Sequence, residues 1–119
     1  MTTLATLAVA GIAALQTYIL LLEMFFWDKP LGLRSFGHSA EQAAASRVLA
    51  ANQGLYNGFL AAGLIWGLSL GEAGRDIELF FLGCVLSAGV FGALTAHIKI
   101  LWAQGLPAAL AMILVLLAS

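Results

Sequence analysis

Apolar residues in this chain fall into four long runs, and the polar residues are crowded into short stretches between them. The first run, Leu4 to Trp27, is broken only by Thr6, Gln16, Thr17, Tyr18 and one carboxylate, Glu23. As a helix of 24 residues it would extend about 36 Å, enough to cross a hydrocarbon core of roughly 30 Å with some tilt. Val48 to Leu70, Leu79 to Ala96 and Leu106 to Ala118 carry no charged residue at all. The connections between runs are too short to build a soluble domain. The pattern therefore predicts an all-α, integral membrane four-helix bundle with short loops, a single transmembrane domain over residues 1–119 with spans at approximately 4–27, 46–70, 77–102 and 106–118. The fourth run reaches only about 20 Å as helix, so it either ends inside one leaflet or is met by tilt or local thinning of the bilayer.

Local signals place the helix ends. Pro30, Gly32 and Gly37 between Asp28 and Ser39 predict a loop, because they oppose helix continuation and allow turns. Ser39-Ala40-Glu41-Gln42 reads as a capping box, with Ser39 at the N-cap and Gln42 at N3, starting the second helix about two turns before its apolar core. Gly71 is the expected stop of that helix, and Asp76 and Glu78 suit the positive end of the third. Gln104-Gly105 followed by Pro107 predicts a tight connection with Pro107 near N1, making the third and fourth helices an antiparallel hairpin. Small residues recur every four positions, as Ala50, Gly54, Gly58 and Ala62 and again as Cys84, Ala88, Gly92 and Ala96. Such stripes let backbones approach closely in lipid. They predict contact between the second and third helices, or a homodimer seam through Gly54 and Gly58.

Composition narrows the function classes. The chain is 62% hydrophobic and 9% charged, with a net charge of −1, so nothing in it recommends a nucleic-acid partner. Its expected partners are membrane lipids. Cys84 sits mid-run as a small apolar residue without a disulfide or thiol motif, and two histidines without paired cysteines suggest neither a metal site nor a cofactor. The first run lacks the basic leader of a signal peptide and stays apolar beyond signal-peptide length, which predicts a retained span. Lys29, Arg34, Arg47 and Lys99 fall on one side of a four-span topology and Arg75 on the other. The positive-inside rule then predicts a multi-pass protein of the cell (inner) membrane with the first loop cytoplasmic and both termini outside.

Polar groups within apolar helices are costly and usually face the bundle interior or a cavity, so their positions carry information. Gln16, Leu20, Glu23 and Trp27 line one helical face. Asn52, Gln53 and Asn57 lie in the cytoplasmic half of the second run, with Tyr56 one turn beyond Asn52. Thr95 and Lys99 share a face of the third, and Gln104 closes the set. Leu, Ile, Phe and Gly fill the other half of these helices, which predicts a vestibule open to one side and not a continuous pore. Each residue also has a plainer reading. Glu23 could snorkel to headgroups, Asn52, Gln53 and Asn57 could be interhelical hydrogen-bond glue, and Trp27, Trp66 and Trp102 could be interface anchors.

The segments Glu23-Met24-Phe25-Phe26-Trp27, Ala51-Asn52-Gln53-Gly54-Leu55-Tyr56-Asn57-Gly58, Ala88-Gly89-Val90-Phe91-Gly92-Ala93-Leu94-Thr95 and Gln104-Gly105-Leu106-Pro107-Ala108 resemble the small membrane proteins of domain-of-unknown-function family 1304. The resemblance spans nearly the whole chain. It implies a bacterial-type four-helix integral membrane domain with signature positions Glu23, Trp27, Asn52, Gln53, Tyr56, Asn57, Thr95 and Gln104, and it brings no activity with it.

The function expected first is a polar intramembrane pocket facing the cytoplasm. It would bind or transport a small amphipathic or hydrophobic ligand, with Glu23 as its charged element and Asn52, Gln53, Asn57, Thr95, Gln104, Tyr56 and Trp27 as its walls. The alternatives are a structural or assembly protein in which the polar residues are interhelical glue, and a lipid-modifying enzyme using Glu23 as acid or base. Against an enzyme, no second carboxylate at matching depth, no nucleophile-base pair and no metal set is evident.

Overall fold

The computed structural model of the chain describes residues 2–118. They form five α-helices: α1 (Thr3–Met24), α2 (Pro30–Phe36), α3 (Ala40–Ser69), α4 (Arg75–Thr95) and α5 (Leu106–Leu117). A 3-10 turn, Gly71–Gly74, leads into α4, and a π-helical turn, Leu101–Gly105, leads into α5. The class is all-α. The 22-residue α1 and the 25-residue stretch Gly71–Thr95 are each long and apolar enough to cross a membrane, while Leu101–Leu117 is apolar but shorter.

Two compact units make up the chain: the segment up to Ala14 with the segment from Leu60 onward, and Leu15–Phe59 between them. The first unit holds the apolar core. Ala5, Val9, Ile12 and Ala13 of α1 are buried there with Leu64 of α3, Leu82 and Val85 of α4, and Ala108, Ala111 and Val115 of α5. Small residues set its spacing. A methyl group on Gly89 would sit 2.5 Å from both the Cα and the nitrogen of Gly105, so the start of α5 lies directly on the α4 backbone and the expected hairpin forms.

In the second unit, the turn after α1 closes on itself. Phe25 and Phe26 both donate backbone N–H bonds to the Leu21 carbonyl, so α1 ends before Trp27, which leaves the helical line expected through Gln16 and Glu23. The stretch expected to be a loop contains α2. Proline and glycine bracket this helix without breaking it: Pro30 occupies its first turn, where no N–H is needed, and Gly37, at φ 68°, closes it by donating to the Leu33 carbonyl. The remaining glycine of the stretch, Gly32, packs against the preceding turn, where a methyl group would lie 2.0 Å from the Phe26 carbonyl oxygen. The capping box forms as expected, with Gln42 N–H donating to Ser39 Oγ at 3.1 Å and Ser39 N–H to Gln42 Oε1 at 3.0 Å.

Two further expectations are revised. The small stripe of α3 does not meet α4: Gly54 lies against Leu20, Glu23 and Met24 of α1, and Gly58 against Leu20. It is Gly63 and Gly67 that approach α4, at Phe81 and Glu78, while the buried face of α4 carries Glu78, Leu82, Val85 and Gly89 in place of the Cys84–Ala96 stripe. The third helix also stops at Thr95, well short of residue 102. There the Gly92 carbonyl accepts N–H bonds from both Ala96 and His97, and the His97 ring Nδ1 accepts the Lys99 N–H at 3.0 Å, so a local side-chain bond starts a new turn. Gly92 leaves room for Ile100 to fold back onto α4.

Candidate functional site

The second unit gathers six of the eight residues singled out in the sequence. Glycines 54 and 58 let α3 lie close against the last two turns of α1, and this brings Glu23 to Asn57, whose Nδ2 donates to Glu23 Oε1 at 2.5 Å. The bond joins residues 34 positions apart, and both side chains are half-buried. Amide-to-carboxylate bonds of this kind are charge-assisted when the acid is ionised and survive its protonation, since the second oxygen can carry the proton.

Trp27 has a different task. Its Nε1 donates to Ser46 Oγ on α3 at 3.1 Å, and its ring packs at 4.7 Å from Phe36 and 4.3 Å from His38, centroid to centroid. His38 Nε2 lies 3.1 Å from the Trp27 carbonyl oxygen. Arg47 and Asp28 face each other at 4.0 Å. This cluster ties α2 and the start of α3 to the turn that follows α1, a short distance in sequence from Glu23.

Asn52, Gln53 and Tyr56 occupy exposed positions on α3, and the Tyr56 ring meets Phe59 edge-on at 5.8 Å. Within the same unit, the exposed Gln53 amide lies one helical turn before Asn57 on α3, and Asn52 precedes it. Thr95 and Gln104 belong to the other unit. The Thr95 hydroxyl donates to the Phe91 carbonyl at 2.7 Å, back-bonding to its own helix at an exposed position, and Gln104 is half-buried in the π-helical turn.

Two buried polar residues drew too little weight in the sequence. Gln16 is fully buried in α1, and Glu78 is fully buried in α4 although it looked like a residue serving only the helix dipole. The signal for Glu78 was its spacing: Glu78, Leu82, Val85 and Gly89 recur at the intervals of one helical face. Among the described residues, no group of three or more His, Cys, Asp and Glu side chains is placed to hold a metal ion.

Comparison with known proteins bears on the same segments. The family described as "Protein of unknown function (DUF1304)" matches residues 10–116. The chain belongs to this family. A relative, "Uncharacterized protein YpaA" of Lactococcus lactis subsp. lactis (strain IL1403), is 33% identical over 114 residues, covering 93% of this chain and 96% of the relative. The family match takes in Glu23 and Asn57 as well as the α4–α5 hairpin. No solved structure matches.

Proposed function

We propose that this DUF1304 protein is a small multi-pass membrane protein whose Glu23–Asn57 pair forms the polar centre of a site for a small amphipathic or hydrophobic ligand, bound or transported from the cytoplasmic side. Two long apolar helices support a bilayer setting. The observation that carries the reading is the carboxylate itself, held by Asn57 across two helices, with the exposed amides of Asn52 and Gln53 on the same helix as Asn57. A carboxylate in an apolar helix is expensive, and one hydrogen bond does not offset its desolvation. Such a group is retained when it meets a ligand, a proton or a cation. A polar-headed, apolar-bodied molecule would satisfy the amides and Glu23 with its head and lay its tail along the apolar helix surfaces.

Native mass spectrometry of the full-length protein from gentle detergent, wild type against Glu23→Gln, tests this. Glutamine keeps an oxygen for Asn57 to donate to and removes the charge. A defined small-molecule or lipid adduct on the wild type that disappears in the variant is the expected result. No adduct on either protein is the result against it.

One observation favours a second reading. Asn52, Gln53 and Tyr56 point outward from a helix proposed to lie in lipid, and such a strip also suits hydrogen bonding between copies of the chain. In that assembly role, Asn52→Leu with Gln53→Leu would shift the protein to monomers while leaving any adduct untouched. A ligand site predicts the reverse.

A further inference from the structure

The short helix α2 turns one side to its own unit and leaves the other open. Gly32 packs against the Phe26 and Trp27 carbonyl oxygens, and the Phe36 ring lies 4.7 Å from that of Trp27, so these positions mark the inner side. Leu31, Arg34 and Ser35 follow one another at i, i+3 and i+4 on the other side, and all three are exposed. In the turn that leads into α2, Phe25 and Phe26 are 59% and 41% exposed. Lys29, at the N-cap of α2, is exposed as well.

The two cations of this segment have no acid of their own. Asp28 faces Arg47 at 4.0 Å, Glu23 accepts from Asn57, and Glu41 stands in the first turn of α3. Among the described residues, no carboxylate lies within ion-pair distance of Lys29 or Arg34. Exposed rings and a leucine next to unpaired basic groups fit a bilayer interface, where the apolar groups enter the acyl boundary and the ammonium and guanidinium heads meet phosphate. Position agrees with this. Only residues 25–29 separate α2 from the end of α1, a helix long and apolar enough to span, so in a bilayer α2 lies where the headgroups begin. The segment is also tied down, by the Trp27 bond to Ser46 and by the packing of Phe36 and His38 on the Trp27 ring, so binding need not order its backbone.

We propose that α2 and the turn before it form a docking surface for anionic phospholipid, in which Lys29 and Arg34 take the negatively charged headgroup while Phe25, Phe26 and Leu31 enter the acyl boundary. The surface rests on the bilayer setting proposed above and is independent of a ligand at Glu23. Net charge selects the lipid: a zwitterionic headgroup carries the same phosphate but brings its own cation, which Lys29 and Arg34 repel.

Native mass spectrometry of the full-length protein in gentle detergent, titrated separately with dioleoylphosphatidylglycerol and dioleoylphosphatidylcholine, tests this. The wild type should retain phosphatidylglycerol at the lower lipid concentration. Lys29→Gln and Arg34→Gln should each weaken that retention about fivefold and leave phosphatidylcholine unchanged, whereas Arg34→Lys, which keeps the charge, should preserve it. Both side chains are exposed, so these variants keep the fold. Equal retention of the two lipids by the wild type, or undiminished phosphatidylglycerol retention by the doubly substituted protein, would overturn the docking surface. A dimer that the double substitution takes apart would overturn it too, since a second copy of the chain would then be the occupant. Glu23→Gln separates the two proposals: the phosphatidylglycerol preference should persist there, and its loss would assign the lipid to the Glu23 site. Reconstitution into phosphatidylcholine nanodiscs checks the bilayer setting by itself, and a protein that stays outside them would remove the ground of both.

Discussion

At Asn57 a single amide separates structural from functional roles. It donates to Glu23, so Asn57→Ala leaves a half-buried carboxylate without its donor and should cost about 1–3 kcal/mol, read as a lower thermal midpoint in detergent. Asn52→Ala and Gln53→Ala, at exposed positions, should each stay within about 0.5 kcal/mol of wild type by the same assay. If all three substitutions cost the same, Asn57 holds no special bond. Trp27→Phe keeps the stacking on Phe36 and His38 but loses the bond to Ser46, an expected loss of about 0.5–1.5 kcal/mol. Ser46→Ala removes the same bond and also the hydroxyl's own bond to the Gln42 carbonyl at 2.7 Å, so the double substitution should cost less than the sum of the two single ones.

Among the helices, the positions of closest approach are the sensitive ones. Gly89→Ala would drive a methyl group into the Gly105 backbone and should destabilise by about 1–3 kcal/mol, whereas Gly83→Ala has open space and should be neutral or slightly stabilising. Thermal denaturation of the pair checks this, and equal effects would contradict the packing. Ser39→Ala should cost about 1 kcal/mol by removing the capping box. The capping box, the Gly71 stop and the Gln104–Pro107 hairpin were all legible in the chain because each depends on neighbours a few residues away. What escaped depends on tertiary contact. Pro30 and Gly37 have the same local chemistry whether they bracket a helix or punctuate a loop, and only the packing of Gly32 on Phe26 decides. The stripe of Gly54 and Gly58 announced a close helix neighbour without naming it, since small residues specify distance and carry no label for the partner. Glu23 and Asn57 were each picked out as costly polar groups, but their pairing needed the register of α1 against α3. Glu78 was read as serving the helix dipole because its packing against Gly67 of α3 depends on the register of two helices, which the local sequence does not reveal.

For the molecule as a whole, the proposed membrane topology makes its own prediction. In a Cys84→Ser background, a cysteine at Arg34 should react with membrane-impermeant maleimide only after the cytoplasmic face is opened, and one at Ala73 should react from the outside. The reverse pattern would invert the topology, and reaction of both without permeabilisation would contradict a spanning arrangement. The central claim, that Glu23 is kept for a ligand and not for the fold, is tested most directly by measuring bound mass and thermal midpoint on the same Glu23→Gln sample. The expected result is loss of the co-purifying mass with a midpoint near that of wild type, because glutamine preserves the oxygen that Asn57 bonds. Unchanged bound mass with a clearly lowered midpoint would make Glu23 a structural residue and contradict the ligand site.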